Sequence, residues 1–220
     1  MKENLLELQE ATLGQDKWFA EGSQAENEVE KYYNAWGKDY EDSVKSWDYD
    51  APEKAAALLK KYMQVDGTVC DAGCGSGLTG EALNASGFKS VVGFDLSPDF
   101  AAVAKEKGVY EDVHIVNMHE KPFCYSDNQF ANLICIGTLT YVQNVPDVVR
   151  EFARIAKPGG MVIFSHRTDM IDDEFTGELE AIKADKVLEE VLVSDPKPYL
   201  PGNKDFSDKI KIVYYAYRVL

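Results

Sequence analysis

Short apolar runs alternate with longer amphipathic segments through the middle of the chain. Runs at residues 68–71, 91–95, 114–116, 133–136 and 161–165 are typical of buried strands. Segments at residues 52–62, 78–85, 98–107 and 147–156 carry helical patterns, with Pro52 and Ser97-Pro98 as start signals. Because strand and helix alternate, the pattern predicts a parallel sheet with helices on both faces.

The pattern changes beyond residue 167. It predicts a helix over residues 174–190, which the apolar residues 191–193 follow. Pro196, Pro198, Pro201 and Gly202 then interrupt the chain before an apolar run at residues 210–219. That run is long enough for a strand, and the Pro/Gly-rich approach permits antiparallel pairing. We therefore expect a sheet that is mixed at one edge.

The N-terminal residues differ from this body. Residues up to about 28 are polar and acidic, and residues 30–47 combine charges with aromatic side chains. These features predict an arm followed by short helices with an aromatic face. We divide the chain into residues 1–50, an N-terminal arm and aromatic lid segment, and residues 51–220, one domain.

Charge and composition narrow the function. The 23 Lys and Arg residues against 38 Asp and Glu residues give a net charge of −15, which disfavours nucleic acid as a partner. No apolar run has the length of a membrane span, so we expect a cytoplasmic protein without membrane contact. The four cysteines form no Cys-x-x-Cys pair, and the three histidines form no His-x-x-x-His pair, so we expect no metal site.

The most informative stretch is the loop between the first strand and its helix, Asp71-Ala72-Gly73-Cys74-Gly75-Ser76-Gly77. Alternate glycines let a backbone turn tightly and approach a ligand, which predicts a nucleoside-containing ligand. Gly75 to Gly80 also match the G-x-G-x-x-G pattern, so a dinucleotide is an alternative.

Charge favours one ligand over the other. A pyrophosphate would be repelled by the carboxylate of Asp71, whereas S-adenosylmethionine carries an ammonium and a sulfonium and no phosphate. Asp95, at the end of the second strand, can accept hydrogen bonds from both ribose hydroxyls of either cofactor. Asp71 therefore favours S-adenosylmethionine, and Asp95 indicates adenosine without distinguishing the two.

Four motifs in order resemble those of class I S-adenosylmethionine-dependent methyltransferases, and the resemblance covers about residues 32–165. They are Val69-Cys70-Asp71-Ala72-Gly73-Cys74-Gly75-Ser76-Gly77, Gly93-Phe94-Asp95-Leu96-Ser97-Pro98, Lys121-Pro122-Phe123 and Lys157-Pro158-Gly159-Gly160. The aromatic leader at residues 33–40 and Tyr49-Asp50-Ala51-Pro52 also resemble the methyltransferase-like proteins of the Williams-Beuren syndrome region.

The resemblance implies a Rossmann-like, doubly wound, seven-stranded mixed sheet with an N-terminal helical lid. It implies that Gly73, Gly75 and Gly77 line the methionine part of the cofactor, that Asp95 holds the ribose and that Leu96 packs on adenine. The other residues that we expect at the cofactor are Tyr33, Tyr40, Asp71, Asn117, Met118, Ile136 and Gly137. Asn117 stands where the family usually has an acidic residue, and it keeps an acceptor but loses the charge.

No catalytic base is identifiable from the sequence. The nearest candidates are His119, Tyr141, His166 and Asp169, each with a plausible structural role. Because a sulfonium already activates its methyl group, alignment and exclusion of water can supply most of the catalysis. We therefore expect a methyltransferase that uses S-adenosylmethionine, with a small-molecule acceptor favoured over protein. A non-catalytic S-adenosylmethionine-binding protein and a nicotinamide-dependent oxidoreductase are the alternatives.

Overall fold

The computed structural model describes residues 39–203 and 209–220. The predicted N-terminal arm and the first part of the lid segment, up to residue 38, lie outside these residues. The eight strands of the described chain are β1 (Val69–Ala72), β2 (Val91–Asp95), β3 (Asp112–Ile115), β4 (Asn132–Cys135), β5 (Met161–Arg167), β6 (Leu188–Val193), β7 (Lys197–Pro198) and β8 (Lys211–Val219).

The described residues form six α-helices, which are α1 (Asp39–Ser46), α2 (Ala51–Tyr62), α3 (Leu78–Ala85), α4 (Pro98–Glu106), α5 (Val145–Ile155) and α6 (Asp173–Ala184). Local sequence explains several of their ends. Ser97 caps α4, with its Oγ accepting the Phe100 N–H at 3.2 Å, and Pro98 begins the helix. The N-terminus of α3 has Gly77 in the capping position, with no side-chain cap.

The strands form one sheet in the order β3-β2-β1-β4-β5-β8-β6, and β7 pairs with β8. The first five strands are parallel, and β8 runs antiparallel between β5 and β6. The Rossmann-like, doubly wound mixed sheet is therefore confirmed. Seven strands form the main path, as expected, and the two-residue strand β7 is an addition.

The predicted helix over residues 174–190 is wrong in its second half. Helix α6 ends at Ala184, and Lys186 adopts a positive φ of 57°, which the helix cannot continue through. Leu188 then begins β6, which pairs with β8. Burial of Leu188 against the sheet outweighs the helical pattern of the neighbouring charged residues.

Both faces of the sheet are covered, which explains the near-continuous apolar strands. Alternate β5 residues point to opposite sides: Val162 and Phe164 pack in the cluster that includes α5 and α6, whereas Met161 and Ile163 pack in the cluster that includes α2 and α3. Within the described ranges, no helix is long and apolar enough to cross a bilayer.

The strand order places a cleft at one edge. The chain leaves β1 toward β2 on one side, while β4 lies on its other side, so the loops that follow β1 and β4 diverge. In such sheets, ligands bind at the carboxyl ends of the strands where the order reverses. Helix α1, the described part of the lid segment, lies beside this cleft through Tyr40.

Candidate functional site

A cavity opens at the carboxyl ends of β1, β2 and β4. Its empty volume is about 970 Å³, including solvent at its mouth. Nine of the residues predicted at the cofactor line it: Tyr40, Gly73, Gly75, Asp95, Leu96, Asn117, Met118, Ile136 and Gly137. Tyr33 lies outside the described residues, and Asp71 and Gly77 are buried behind the loop instead of lining the cavity.

Asp95 joins the two loops that border the cavity. Its Oδ2 accepts the Gly75 N–H at 2.8 Å, and its Oδ1 accepts the Ser97 N–H at 2.9 Å. Burial raises the pKa of the Asp95 carboxyl, and the backbone N–H groups of Ser97, Gly75 and Leu96 oppose that rise. Asp95 therefore has a structural role in addition to its predicted role at the ribose.

The glycines of the loop have different neighbours. A methyl group built on Gly75 would have no atom within 4 Å, so its backbone faces open space in the cavity. A methyl group on Gly73 would collide with Thr138, whose Oγ1 donates to the Gly73 carbonyl at 3.0 Å. Gly75 is thus the glycine that leaves room for a ligand, whereas Gly73 lets the loops after β1 and β4 pack together.

Asp71 is fully buried within the protein. Its Oδ2 accepts the hydroxyl of Tyr110 at 2.7 Å, and its Oδ1 has no hydrogen-bond partner among the described residues. Burial raises the pKa of Asp71 to about 7, the Tyr110 hydrogen bond lowers it, and nearby Asp95 raises it. Asp71 points toward Tyr110 because the side chains of a strand alternate, which the motif alone did not reveal.

Asn117 lines the cavity and also fixes its own loop. Its Oδ1 accepts the His119 N–H at 2.9 Å, a local turn that asparagine often forms. An aspartate could form the same turn, so the missing charge does not alter the loop. The contact of Asn117 with the adenine amino group stays a prediction.

Tyrosine hydroxyls gather at the end of β4. A methyl group on Gly137 would lie 2.9 Å from the Tyr49 hydroxyl and 3.1 Å from the Tyr199 hydroxyl. The two rings meet edge to face at 5.5 Å. Burial raises the pKa of both hydroxyls, so they are protonated hydrogen-bond donors at neutral pH.

The candidate bases lie in different parts of the structure. His119 and Tyr141 line the cavity, but His119 Nε2 accepts the Gln143 N–H at 3.1 Å, so this nitrogen's lone pair is already engaged. His166 lies on the other side of β5, stacked on Phe175, and burial lowers its pKa to about 4.

Asp169 is engaged by an arginine. Its carboxylate pairs with the guanidinium of Arg167, and that hydrogen bond lowers its pKa. His166 and Asp169 are therefore structural in this arrangement.

Several residues of the cavity escaped the sequence analysis. They include Pro52, Cys74, Leu78, Thr79, Val116, Thr138 and Val142. Thr138 directly follows Gly137 in the loop after β4, so its position in the sequence could have predicted that it lies at the cavity. The sequence indicates a helix start at Pro52 but not its place at the cavity, because its distance from the loops depends on how α2 packs.

The cavity fits the predicted cofactor on three observations. Gly75 leaves open space at the loop, Asp95 presents a half-buried carboxylate, and Leu96 and Met118 supply apolar surface beside it. A neutral, hydroxyl-bearing ribose and a flat base match acceptors and apolar walls of this kind. S-adenosylmethionine has no phosphate group, so its binding would bring no phosphate near Asp71.

Residues 70–164 match the family model described as "Methyltransferase domain". The human "Methyltransferase-like protein 27" is 28% identical over 153 residues, which are 68% of this chain and 62% of that protein. The "Ubiquinone biosynthesis O-methyltransferase" of Xanthomonas oryzae pv. oryzae (strain PXO99A) is 29% identical over 131 residues, 54% of each protein. The chain thus spans less than two thirds of the length of these relatives.

Solved structures share the fold. A geranyl diphosphate C-methyltransferase from Streptomyces coelicolor A3(2), in complex with Mg2+, geranyl diphosphate and S-adenosyl-L-homocysteine, aligns with a TM-score of 0.59 and 17% identity. The alignment covers 75% of this chain and 76% of that one. At this identity, the likeness concerns the fold alone.

Proposed function

We propose that this chain, whose residues 70–164 match the methyltransferase domain model, is a class I S-adenosylmethionine-dependent methyltransferase that transfers a methyl group from that cofactor to a small-molecule acceptor. The observation that carries the proposal is the cavity in which the open backbone of Gly75 adjoins the carboxylate of Asp95. The nicotinamide alternative requires a pyrophosphate on the loop in front of the buried carboxyl group of Asp71, and charge repulsion opposes that pyrophosphate when Asp71 is ionised.

The roles of the binding residues follow from their positions. Asp95 would accept hydrogen bonds from the ribose hydroxyls, and Leu96 and Met118 would supply apolar surface for the base. Gly75 brings the backbone of the loop against the methionine part. When bound, S-adenosylmethionine supplies a methyl group that its sulfonium makes electrophilic.

The acceptor would bind where α1 and the loops after β4 and β5 meet. Tyr49 lines the cavity and its hydroxyl lies next to Gly137, hydrogen-bonded to the hydroxyl of Tyr199, so this pair keeps one proton to donate to an acceptor oxygen. Tyr40, half-buried with its ring 5.6 Å from that of Phe100, shields the cavity from water. Positioning of this kind supplies catalysis without a dedicated base.

Two considerations support a small acceptor. The relatives named above include enzymes for ubiquinone biosynthesis and for geranyl diphosphate, both small molecules. The net charge of −15 opposes nucleic acid. The narrower kinship with methyltransferase-like proteins of the Williams-Beuren syndrome region, and a cytoplasmic location, are parts of this proposal that stay predictions.

Calorimetry with S-adenosylhomocysteine tests the binding part. We expect Asp95→Ala to weaken binding at least about tenfold, because it removes charge-assisted hydrogen bonds worth about 1.5–3 kcal/mol each. Asp112→Ala, on edge strand β3, removes a carboxylate whose side chain is 52% exposed and should bind like the wild type. Equal affinity of a folded Asp95→Ala variant would contradict the assignment.

A transfer assay tests the reaction. The protein is incubated with methyl-tritiated S-adenosylmethionine and separate small-molecule and protein fractions of a cell extract. We expect label in the small-molecule products. Label only in protein would replace the proposed acceptor class, and binding without any transfer would favour the non-catalytic alternative.

A further inference from the structure

We propose that Tyr110 is a positioning residue for the cofactor loop: it supports the loop from behind with its ring and joins β1 to the start of α3 with its hydroxyl. This inference rests on the proposed function, since it concerns how the loop binds S-adenosylmethionine. Tyr110 lies between α4 and β3, outside the four motifs, and does not line the cavity.

The ring of Tyr110 occupies space that three glycines leave open. A methyl group on Gly80 would collide with the ring, and methyl groups on Gly93 and Gly77 would lie 3.0 and 3.2 Å from its edge. Such distances are too short for an ordinary carbon contact. Gly77 and Gly80 thus leave space for the ring of Tyr110. Packing against this ring explains two of the three glycines in the G-x-G-x-x-G pattern, so the pattern does not require a dinucleotide.

The hydroxyl of Tyr110 takes the place of a side-chain cap at the N-terminus of α3. Helix α3 begins after Gly77, which has no side chain to bond the free N–H groups of the first turn. The Gly80 N–H instead donates to the Tyr110 hydroxyl at 3.0 Å. The same hydroxyl donates to Asp71 Oδ2 at 2.7 Å, so one atom connects the two ends of the loop.

Asp71 makes this connection sensitive to charge. The titratable groups around Asp71 are acidic or neutral: Tyr110, Asp95 on β2, Cys70 on its own strand, Cys74 in the loop and Cys135 on β4. On the outer side of the loop, Lys107 lies against Gly77 and pairs with Glu81 at 2.6 Å and with Glu41 at 2.8 Å.

The hydroxyl of Tyr110 therefore has a measurable electrostatic effect. Its hydrogen bond favours the ionised form of Asp71, and burial opposes that form. Removing the hydroxyl should move the pKa of Asp71 further upward. A ligand with an ammonium group is attracted by the ionised form, so the pH dependence of its binding should move as well.

The experiment measures S-adenosylhomocysteine affinity of the full chain by calorimetry between pH 5.5 and 8.5. We expect Tyr110→Phe to weaken binding at pH 7 about tenfold and to shift the pH of half-maximal affinity upward. Tyr125→Phe is the matched control, because this buried tyrosine loses a 2.9 Å hydrogen bond to His114 away from the cavity. It should keep the wild-type affinity and pH profile.

The outcomes separate the two proposals. If Tyr110→Phe binds with wild-type affinity and an unchanged pH profile, Tyr110 is a packing residue and the inference is wrong, even if its melting temperature falls. If Tyr110→Phe does not fold, Asp71→Asn tests the same connection and should weaken binding and remove the pH response; unchanged binding overturns the inference. If the wild type does not bind S-adenosylhomocysteine, the proposed function itself fails.

Discussion

Gly75 and Gly108 offer a direct comparison at the scale of single residues. Their φ angles are 53° and 66°, and a methyl group on either would have no atom within 4 Å. Alanine at either position therefore adds backbone strain of about 1–2 kcal/mol without a steric clash. The difference is that Gly75 lines the cavity, whereas Gly108 follows α4.

We expect Gly75→Val to abolish S-adenosylhomocysteine binding, because a branched side chain fills the space that the ligand needs. Gly108→Val should lose similar stability and keep its affinity. Calorimetry gives the affinities, and thermal unfolding gives the stabilities. Parallel losses of affinity in both variants would mean that strain alone, and not contact with a ligand, explains the effect.

Asp71 gives a prediction about pH and stability. Its folded pKa of about 7 lies above the value of about 4 for an unfolded chain, so folding takes up a proton between these limits. Stability therefore falls as pH rises from about 4 to 7. Asp71→Asn removes this dependence, and its stability relative to the wild type should rise by on the order of 2 kcal/mol between pH 5 and pH 8.

Urea unfolding at the two pH values checks this expectation. Glu151→Gln is the control, since hydrogen bonding to Arg154 lowers the pKa of Glu151 and its titration lies below this range. The stability of Glu151→Gln relative to the wild type should not change between pH 5 and pH 8. A flat difference for Asp71→Asn would show that Asp71 is ionised throughout.

Sequence could identify the residues whose roles depend on chain order. Asp95, Leu96, Asn117 and Gly137 lie at, or within two residues of, the ends of their strands, and parallel strands bring those positions to one edge. The sequence could not show that Gly77 lies against Tyr110, because the two residues lie on different elements and only packing brings them together. The loop motif therefore mixes residues that line the cavity with residues that support the loop.

Helix α1 is joined by an ion pair to the C-terminal end of helix α4. Glu41 on α1 lies 2.8 Å from Lys107, which also pairs with Glu81 on α3. The Lys107 side chain is only 15% exposed, so water screens this pair less than a surface pair. Since Tyr40 on the same helix lines the cavity, movement of α1 would open the site.

We expect Lys107→Met to speed dissociation of S-adenosylhomocysteine about threefold to tenfold, because α1 would be released more often. Lys105→Met is the matched control, since Lys105 pairs with Asp112 and both side chains are more than half exposed. Stopped-flow displacement measures the rates. Equal rates for both variants would show that α1 does not limit release.

Element boundaries were predictable where the turn chemistry was local. The start of α4 at Ser97-Pro98 and the bounds of β2 follow from capping and apolar patterns. The end of α6 was not predictable in this way, because Asp185 and Lys186 carry no strong stop signal for a helix. The change to β6 depends on pairing with β8. Long-range pairing is the information that a local pattern lacks.

The whole molecule concentrates its chemistry at one edge of the sheet. The parallel order of β1, β2 and β4 could be inferred from the alternating pattern, and the site followed from that order. The proposed acceptor region could not be inferred from the pattern, because Tyr49 and Tyr199 meet Gly137 from segments far apart in the chain. Which acceptor fits is a property of that assembled surface.

Thermal unfolding with a panel of ligands tests this view of the whole protein. A ligand that binds only the folded chain at about 100 times its dissociation constant stabilises it by about 2.7 kcal/mol. For a chain of this length, that raises the melting temperature by about 5–10 °C. We expect S-adenosylmethionine and S-adenosylhomocysteine to produce such a rise.

NAD should produce no rise, for two reasons that act together. Its pyrophosphate would lie beside the buried carboxylate of Asp71, and the third glycine of the dinucleotide pattern, Gly80, faces the ring of Tyr110. If NAD stabilised the protein more than S-adenosylhomocysteine, the loop would have to hold a phosphate despite that carboxylate. The cavity would then belong to an oxidoreductase, and the assignment of Asp71, Gly75 and Asp95 to a methyl-transfer cofactor would be wrong.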